Sequence, residues 1–529
     1  MSQTTPRQTV YNIAAGYKAA TGDTDELNYG NIADKVTKAL NDEYQYPSHW
    51  PDIRTNDTDA IVLLVSDINP TVNFIVQGGS NNVRLTIDWG DGTIENDLPT
   101  NTTNTYKGVS VARTYHARHT YETTGNEDCY NTYVIKINKY TSTGSINLFR
   151  GWGQDGDELK QSWLALKINI DTITSLIYLV HAHNQGTNYC TNPYIEYVDI
   201  SACNRATSLD YAFAECYRLQ KLILPEVMNS LTTMIGTCRR CSMLKELVIP
   251  TAPSLTTVNT VAVYCSSLKQ VVWKGDSYPE LYNFGSAFAY TPIEYFKFPA
   301  TLNTNSTRSG TFSSTFYFDG ALKEIIFPTN ADWGNNITAM ASFVNNIGAQ
   351  ILDFSNMSLP AATALNAMCN STNVEILKFP KAPVADTTSS GNLFSSSNTI
   401  MEEIYFPTEY GSISHPQQTW DLASFRNLKV LSANCGVNLQ KLTCRGYSAA
   451  VRGSLHTVIL PPNSTFGGTS PQIDFSNQAL THEELVDLLT YLGTLGLTRK
   501  TVKLTGCAGA SELTAAEKAL ATGWTVVTS

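Results

Sequence analysis

The feature that most constrains the fold of this chain is a repeat of about 25 residues that begins near residue 190. Three segments align on Cys-x-x-Leu followed by alternating apolar residues: SLDYAFAECYRLQKLILP, SLTTMIGTCRRCSMLKELVIP and SLTTVNTVAVYCSSLKQVVWKG. Their cysteines, Cys216, Cys241 and Cys265, lie 25 and 24 residues apart. A period of this size indicates a solenoid, in which each coil covers the apolar side of the coil before it.

Weaker copies continue the repeat, and their strands end at prolines one or two periods apart: Pro225, Pro250, Pro299, Pro328, Pro380, Pro407 and Pro461. Asn346 and Ser397 stand where the small repeat residue is expected, and the units near residues 351 and 431 lack the closing proline. The SLxx…C…LxxLxLP pattern resembles the BspA-like subclass of leucine-rich repeats. This resemblance implies a leucine-rich-repeat solenoid over residues 191–472.

The last segment of the chain changes from repeats to strand and helix signals. Two capping boxes predict helix starts: Thr481 with Glu484, and Thr514 with Glu517. The first of these helices is expected to bury one face, formed by Leu485, Leu488, Leu489 and Leu492. We predict that residues 473–529 form an α/β cap that protects the open edge of the solenoid. The closing LTAAEKALATGWTV is similar to the ends of repeat-bearing tail proteins of bacteriophages that infect gut Bacteroidales.

Residues 56–145 show the alternation of apolar and polar residues that is typical of a small β-sandwich. The candidate strands are AIVLLVS, TVNFIVQG, VRLTIDWGDGTIEND, HTYETTG and TYVIKINKY. The string IDWGDGT with HTYETTG and YVIKI resembles the PKD family of immunoglobulin-like β-sandwiches, although NDLPTNTTNTYKGVSVARTYHAR is a long insertion relative to that family. The resemblance implies that Trp89 and Tyr121 are core residues. Residues 146–190 are expected to be a connecting segment or a first irregular repeat.

The N-terminal residues 1–55 carry helix signals. Asn31 can cap the segment IADKVTKAL, in which Ile32, Val36 and Leu40 recur at helical spacing. So short a segment buries little apolar surface alone, so it either docks on the next domain or anchors the chain to a partner. The predicted fold class is therefore mainly β: a short helical segment, a PKD/Ig-like sandwich, a leucine-rich-repeat solenoid and an α/β cap.

The charge balance bears on possible partners. The net charge is -10, and only 16% of residues are charged. Because no stretch clusters Lys and Arg as a phosphate-tracking surface requires, we expect no nucleic-acid partner. No run approaches the ~18 apolar residues that span a bilayer, so we expect no membrane insertion.

One string, GWGQDG at 151–156, matches the GxGxxG pattern of dinucleotide-binding loops. A strand-like run, DELKQSWLALKINI, follows it where a helix is needed, so a loop is favoured over a cofactor site. Two sets of acidic residues are candidate calcium ligands: Asp155, Asp157 and Glu158, and Asp88 with Asp91. Neither set supplies the ligands of a calcium loop, so turn carboxylates are favoured.

Two histidine motifs are candidate zinc sites. His181 and His183 in VHAHNQG would share one side of a strand, but a catalytic zinc takes three protein ligands and no third is apparent. THEEL at 481–485 lacks the second histidine of HExxH. No nucleophile elbow or phosphate loop is present. We therefore predict no catalytic, cofactor-binding or metal-binding residues and no cofactor.

A CxxC pair, Cys238 with Cys241, lies in GTCRRCSMLKELVIP. Cys241 shares the repeat position of Cys216 and Cys265, where a small apolar side chain packs between coils. Cys238 has no counterpart cysteine, because the matching places hold Phe213 and Ala262. A zinc ribbon would need a second CxxC. We therefore interpret the pair as a repeat residue beside an accidental neighbour.

Three functions are compatible with these features. The first is a structural protein of a crAss-like bacteriophage virion, in a tail or head appendage. Such a protein would attach by its N-terminus to other virion proteins, present the repeats to the host or to neighbouring subunits, and form a homo-oligomer such as a trimer. The second is a bacterial surface adhesin that binds a host protein or glycan. The third is a carbohydrate-active enzyme whose catalytic domain lacks a visible motif, with exposed aromatics on a concave face.

The start of the sequence separates the first two functions. MSQTTPRQTVYNIAAGYK lacks the pattern of a secretory signal, and the first cysteine is Cys129, so no early lipid-attachment cysteine is present. We therefore expect a virion protein that is assembled in the host cytoplasm.

Overall fold

The computed structural model is mainly β, has very few helices, and contains a β-solenoid of about ten turns. It describes residues 44–55, 59–80, 82–106, 109–122, 130–140, 144–151, 162–180, 192–304, 308–328, 336–359, 369–370, 373–381, 400–410 and 418–529. The predicted helix at Asn31 lies outside these residues.

Nine strands form two antiparallel sheets ahead of the solenoid: β1 (Ala60–Ser66), β2 (Thr71–Gly78), β3 (Arg84–Asp88), β4 (Ile94–Pro99), β5 (Thr102–Tyr106), β6 (Val109–Thr120), β7 (Thr132–Lys139), β8 (Ile146–Gly151) and β9 (Trp163–Asn169). One sheet has the order β9-β1-β7-β3-β4, and the other has the order β5-β6-β2-β8. Trp89 and Tyr121 are buried in the core between them, and the Tyr121 hydroxyl donates to the Trp89 carbonyl at 2.8 Å.

Strand β1 is buried on both of its faces, which explains its uninterrupted apolar sequence. Ile61, Leu63 and Val65 belong to the main core. Val62 and Leu64 belong to a second cluster on the opposite face. That second face is covered by residues 44–55 through three aromatic rings and an aliphatic side chain: Tyr44, Tyr46, Trp50 and Ile53. This part of the N-terminal segment therefore docks on the sheet.

The sheets extend past the expected boundary at residue 145. Strand β8 pairs with β2 and strand β9 pairs with β1, both antiparallel. The region 146–190 thus contributes a strand to each sheet. Its residues 170–180 also hydrogen-bond to the next coil, from Tyr178 N to Asp210 O at 3.1 Å and from Val180 N to Ala212 O at 2.9 Å, as an irregular first repeat would. On its other edge β9 pairs in parallel with the first strand of the solenoid, with Leu166 opposite Val198. The sheet that contains β1 therefore continues into the first strands of the solenoid.

Twenty strands, all paired in parallel, make up the coils that follow: β10 (Tyr197–Asp199), β11 (Lys221–Ile223), β12 (Glu246–Ile249), β13 (Gln270–Trp273), β14 (Ser277–Tyr278), β15 (Tyr295–Lys297), β16 (Thr301–Leu302), β17 (Gly310–Thr311), β18 (Phe316–Tyr317), β19 (Glu324–Ile326), β20 (Ile337–Ala339), β21 (Val344–Asn345), β22 (Ile351–Asp353), β23 (Cys369–Asn370), β24 (Ile376–Lys378), β25 (Glu403–Tyr405), β26 (Gln418–Asp421), β27 (Val430–Ser432), β28 (Leu439–Thr443) and β29 (Thr457–Ile459).

One side of the solenoid carries one strand per coil, in chain order. The central apolar residues of successive strands face the core in register, as in Leu352, Leu377, Ile404 and Leu431. The units near 351 and 431 supply β22 and β27 to this ladder although they lack the closing proline. Apolar alternation, rather than the proline, therefore marks these strands.

Each coil between residues 211 and 346 turns at two left-handed backbone positions that are four residues apart, with φ between 49° and 63°. The first corner is Tyr211, Gly236, Thr260, Ser286, Ser314 or Ser342, and the second is Glu215, Arg240, Tyr264, Tyr290, Phe318 or Asn346. Each such non-glycine residue costs on the order of 1 kcal/mol. Hydrogen bonds between coils offset this cost, for example from Tyr264 N to Ala289 O at 3.0 Å.

The chain ends in three further parallel strands and two helices: β30 (Ile473–Asp474), β31 (Lys500–Lys503), β32 (Trp524–Val527), α1 (His482–Thr494) and α2 (Ala515–Lys518). These strands continue the sheet β26-β28-β30-β31-β32. Both predicted capping boxes are present, and the four predicted leucines of α1 are buried. No helix in the described ranges is long and apolar enough to cross a membrane.

Replacing Thr481 with alanine is expected to lower the stability of the α1 segment by about 1 kcal/mol, because the Glu484 amide loses its acceptor. Hydrogen exchange of the α1 amides provides the measurement. Thr498→Ala, in the exposed loop after α1, is the matched control. Equal effects of the two substitutions would refute a capping role.

Candidate functional site

The cysteine repeat position is an interior ladder of the solenoid. Each second corner is followed by a buried residue: Cys216, Cys241, Cys265, Thr291, Asp319 and Ile347. The Cys241 thiol donates to the Phe213 carbonyl of the preceding coil at 3.0 Å. The Cys265 thiol does the same to Cys238 at 2.9 Å. The sequence pattern places the repeat residue of this coil at Asn346, but Asn346 occupies the corner itself. The buried ladder position is the next residue, Ile347.

Cys238, the other half of the CxxC pair, also faces the core. Its amide donates to the Val261 carbonyl of the next coil at 2.8 Å, in the register used by Phe213 and Ala262. All three side chains are fully buried. The position holds buried side chains of different sizes in successive coils, so both cysteines of the pair are interior residues of the repeat.

The ladder thiols are expected to be unreactive in the folded protein. Burial raises the pKa of Cys216, Cys241 and Cys265 well above the ordinary thiol value, so little thiolate forms near neutral pH. A thiol reagent at pH 8 should label these residues only after denaturation, as read by mass spectrometry of the labelled peptides. Fast labelling of Cys238 or Cys241 in the native protein would reverse this assignment.

The acidic residues of DWGDG make turn contacts. Asp88 accepts a hydrogen bond from the Gly90 amide at 3.0 Å, and Asp91 accepts one from the Thr93 amide at 2.9 Å. The second Asp91 oxygen lies 2.8 Å from His119 Nε2. Within the described ranges, no group of three His, Cys, Asp or Glu side chains is placed to hold a metal. His482 of THEEL is the first residue of α1. The remaining sequence candidates lie outside the described part of the chain: Asp155, Asp157, Glu158, His181, His183 and Ser397.

In the described part of the chain, a groove of about 390 Å³ crosses the corners of successive coils. It is lined by Arg239, Thr260, Val263, Tyr264, Ser286, Ala289, Tyr290, Ser314 and Tyr317. Its volume falls within the range of ~300–1,000 Å³ that is usual for small-molecule sites. We call this feature the corner groove.

The two corners of each coil form the two sides of the corner groove. First-corner residues supply small hydroxyl side chains, Ser286 and Ser314 among them, and second-corner residues supply Tyr264 and Tyr290. Buried Val263 and Ala289 lie between the sides. The four-residue interval therefore places a hydroxyl opposite an aromatic ring in each of these coils.

The aromatic side is a stack that runs along the solenoid. Ring centroids are 4.5 Å apart between Tyr264 and Tyr290, and 5.3 Å apart between Tyr290 and Phe318. These rings are 42%, 37% and 44% exposed, respectively. Because their faces cover one another, the stack presents ring edges to the solvent. The Arg240 guanidinium lies 5.7 Å from the Tyr264 ring and closes one end of the stack.

Comparison with protein-family models, curated proteins and solved structures found no significant match to this chain. The evidence for function is therefore the corner groove.

The corner groove was missed in the sequence, although a signal for it exists. Thr260 with Tyr264, Ser286 with Tyr290 and Ser314 with Phe318 each place a hydroxyl residue four positions before an aromatic one, in consecutive coils. Recognising this signal requires the coil register, which the cysteine and leucine repeat supplies. It also requires non-glycine residues in left-handed corners, which local sequence rules disfavour.

Proposed function

We propose that this chain is a non-enzymatic structural protein of a bacteriophage virion, a tail or head appendage that presents the solenoid surface to a host or to neighbouring subunits. The observation that carries the proposal is the corner groove, an exposed aromatic and hydroxyl surface built on consecutive coils of a continuous core. Backbone hydrogen bonds join each coil to the next along this surface. Such a scaffold suits presentation, because neighbouring coils hold the binding residues in fixed positions.

In this proposal, residues 1–55 attach the chain to other virion proteins. The two antiparallel sheets act as a PKD/Ig-like spacer, the coils are BspA-like leucine-rich repeats, and residues 473–529 are the terminal cap. The burial of Trp50 and Ile53 against the outer face of β1 supports a fixed connection between the attachment segment and the spacer. The chain would act as a closed homo-oligomer, the usual form of such appendages.

The test is the location of the protein in an infected culture. Antibodies raised against the full chain should label purified phage particles at one structure in electron micrographs, and the protein should co-purify with those particles. Labelling of the bacterial surface without particles would replace this proposal with that of a bacterial adhesin. Assembly that is unaffected by deletion of residues 1–55 would remove the attachment role of this segment.

A further inference from the structure

We propose that the corner groove binds a short acidic oligosaccharide that lies along the solenoid axis. The inference rests on the proposed function in one respect: it names the chemical class of the surface ligand that an attachment protein would recognise. Three properties of the groove support this ligand: its hydroxyl groups, its backbone amides that are already hydrogen-bonded, and its single charged lining residue, Arg239.

The polar side chains of the groove match a ligand that is rich in hydroxyl groups. Serine, threonine and tyrosine hydroxyls both donate and accept hydrogen bonds, as sugar hydroxyls do. Ser286 and Ser314 supply such groups on one side, and Tyr264 and Tyr290 supply them on the other. Between them, Val263 and Ala289 are buried and form the apolar floor of the groove. The groove therefore alternates polar and apolar contacts across its width.

The backbone of the corners argues against a peptide that adds as a strand. The corner amides that border the groove already donate to the next coil, as in Thr260 N to Gly285 O at 2.9 Å, Ser286 N to Ser313 O at 3.1 Å and Tyr290 N to Tyr317 O at 2.8 Å. Strand addition depends on unpaired main-chain groups at a sheet edge. Side chains must therefore provide the recognition, which favours a ligand read through its hydroxyls.

The charge of the groove selects an acidic sugar. Arg239 is its one charged lining residue, and its lining includes no carboxylate. The neighbouring Arg240 is paired with Glu215 at 3.3 Å, whereas no described carboxylate forms an ion pair with Arg239. A guanidinium forms paired, charge-assisted hydrogen bonds with a carboxylate. The carboxylate of a uronic acid residue at the Arg239 end of the groove would accept these hydrogen bonds from the Arg239 guanidinium.

The first experiment uses the full chain on an array of oligosaccharides that contain glucuronic, galacturonic or mannuronic acid, each beside its carboxyl-reduced neutral counterpart. We expect binding to at least one acidic member, with about tenfold or weaker binding of its neutral counterpart, because the charge-assisted contact to Arg239 is lost. Equal binding of the two forms would overturn the charge argument. Absence of binding across the array would overturn the proposal.

Variants locate the binding to the groove. Arg239→Gln should weaken binding of the acidic member about tenfold or more and leave the neutral counterpart unchanged. Ser286→Tyr should abolish binding by filling the groove. The first-corner position accepts this side chain, since Tyr211 and Tyr178 occupy left-handed corners and stack with centroids 5.6 Å apart.

Two matched variants keep the test specific. Arg205→Gln removes an exposed arginine, and Tyr447→Ala removes an exposed tyrosine, both outside the groove. Neither should change binding, and thermal unfolding of all four variants verifies that each is folded. A loss of binding in the control variants, or retained binding in a folded Ser286→Tyr variant, would place the ligand elsewhere and refute the proposal.

The two proposals fail separately. Phage particles that carry the protein, together with an array that shows no acidic binding, would refute the groove ligand and leave the virion assignment in place. If the protein binds acidic oligosaccharides through Arg239 but is missing from phage particles, the groove ligand would stand and the virion assignment would be refuted.

Discussion

Replacing Phe296 with alanine is expected to lower the free energy of unfolding of the solenoid by about 3–5 kcal/mol. Phe296 is 2% exposed at the centre of β15, and its ring centroid lies 4.9 Å from Phe288, 4.8 Å from Phe298 and 4.9 Å from Phe316. Removal of its ring opens a cavity that rigid neighbours in the same and adjacent coils cannot fill. Because each coil stabilises its neighbours, the loss extends to the coils on either side.

Hydrogen exchange with mass spectrometry measures this effect coil by coil. Protection should fall most around β15 and β19, while the sheets formed by β1 to β9 should keep theirs. The control is Tyr295→Ala, one residue away in the same strand. Tyr295 is 38% exposed, so its loss is expected to cost roughly 0.5 kcal/mol or less. Similar effects of the two substitutions would contradict the inward orientation of Phe296.

Replacing Asp319 with asparagine is expected to stabilise the protein at pH 7 by about 1–3 kcal/mol, because the wild type must either keep this buried carboxyl protonated or bury its charge, and asparagine avoids both costs. Asp319 lies on the cysteine ladder and is fully buried. One carboxyl oxygen accepts the Thr291 amide at 2.7 Å, and the other has no hydrogen-bond partner among the described residues. An asparagine keeps the first contact through its carbonyl and removes the charge.

The stabilisation depends on pH in a defined direction. Burial raises the pKa of Asp319 well above its ordinary value of 3.8. The contribution of the wild-type carboxyl to the free energy of unfolding is therefore fully present below the unfolded-state pKa, where the carboxyl is protonated in both states. That contribution is lost as the pH rises through the folded-state pKa. The difference between Asp319→Asn and wild type should be small near pH 4 and grow toward pH 8.

Chemical denaturation at a series of pH values checks this result. Asp353→Asn is the control with the opposite sign. Burial raises the pKa of Asp353, but hydrogen bonds from Lys378 and Ser355 outweigh it and lower the pKa overall. Its neutralisation should therefore destabilise the protein at pH 7, by up to about 1 kcal/mol for a surface pair. A pH-independent effect of Asp319→Asn would show that Asp319 is ionised at no cost.

Much of the fold follows from local patterns. AIVLLVS and TVNFIVQG coincide with β1 and β2, because apolar β-branched runs of this length favour strands wherever they pair. The capping boxes at Thr481 and Thr514 mark the starts of α1 and α2, because a helix start needs local acceptors for its amides. The repeat of Leu and Cys identifies the coils, since each coil must bury the same positions.

The parts that escaped prediction depend on contacts distant in sequence. WLALKIN becomes β9 of the first sheet because β1 lies beside it, about 100 residues earlier in the chain. Asp319 and Thr291 do not look like equivalents of Cys265, yet all three occupy one interior ladder. The corner groove required non-glycine residues in left-handed conformations, which hydrogen bonds from the next coil impose and local propensity opposes.

In the coils between residues 211 and 346 the two corners are four residues apart. The second corner recurs at Arg240, Tyr264, Tyr290, Phe318 and Asn346, so these coils differ in length. Extra residues have therefore been accommodated outside the corners. A duplication or insertion in the remaining part of a coil can enlarge a loop without shifting one side of the groove against the other. A lineage of such chains can thus lengthen its coils while the geometry at the corners is inherited unchanged.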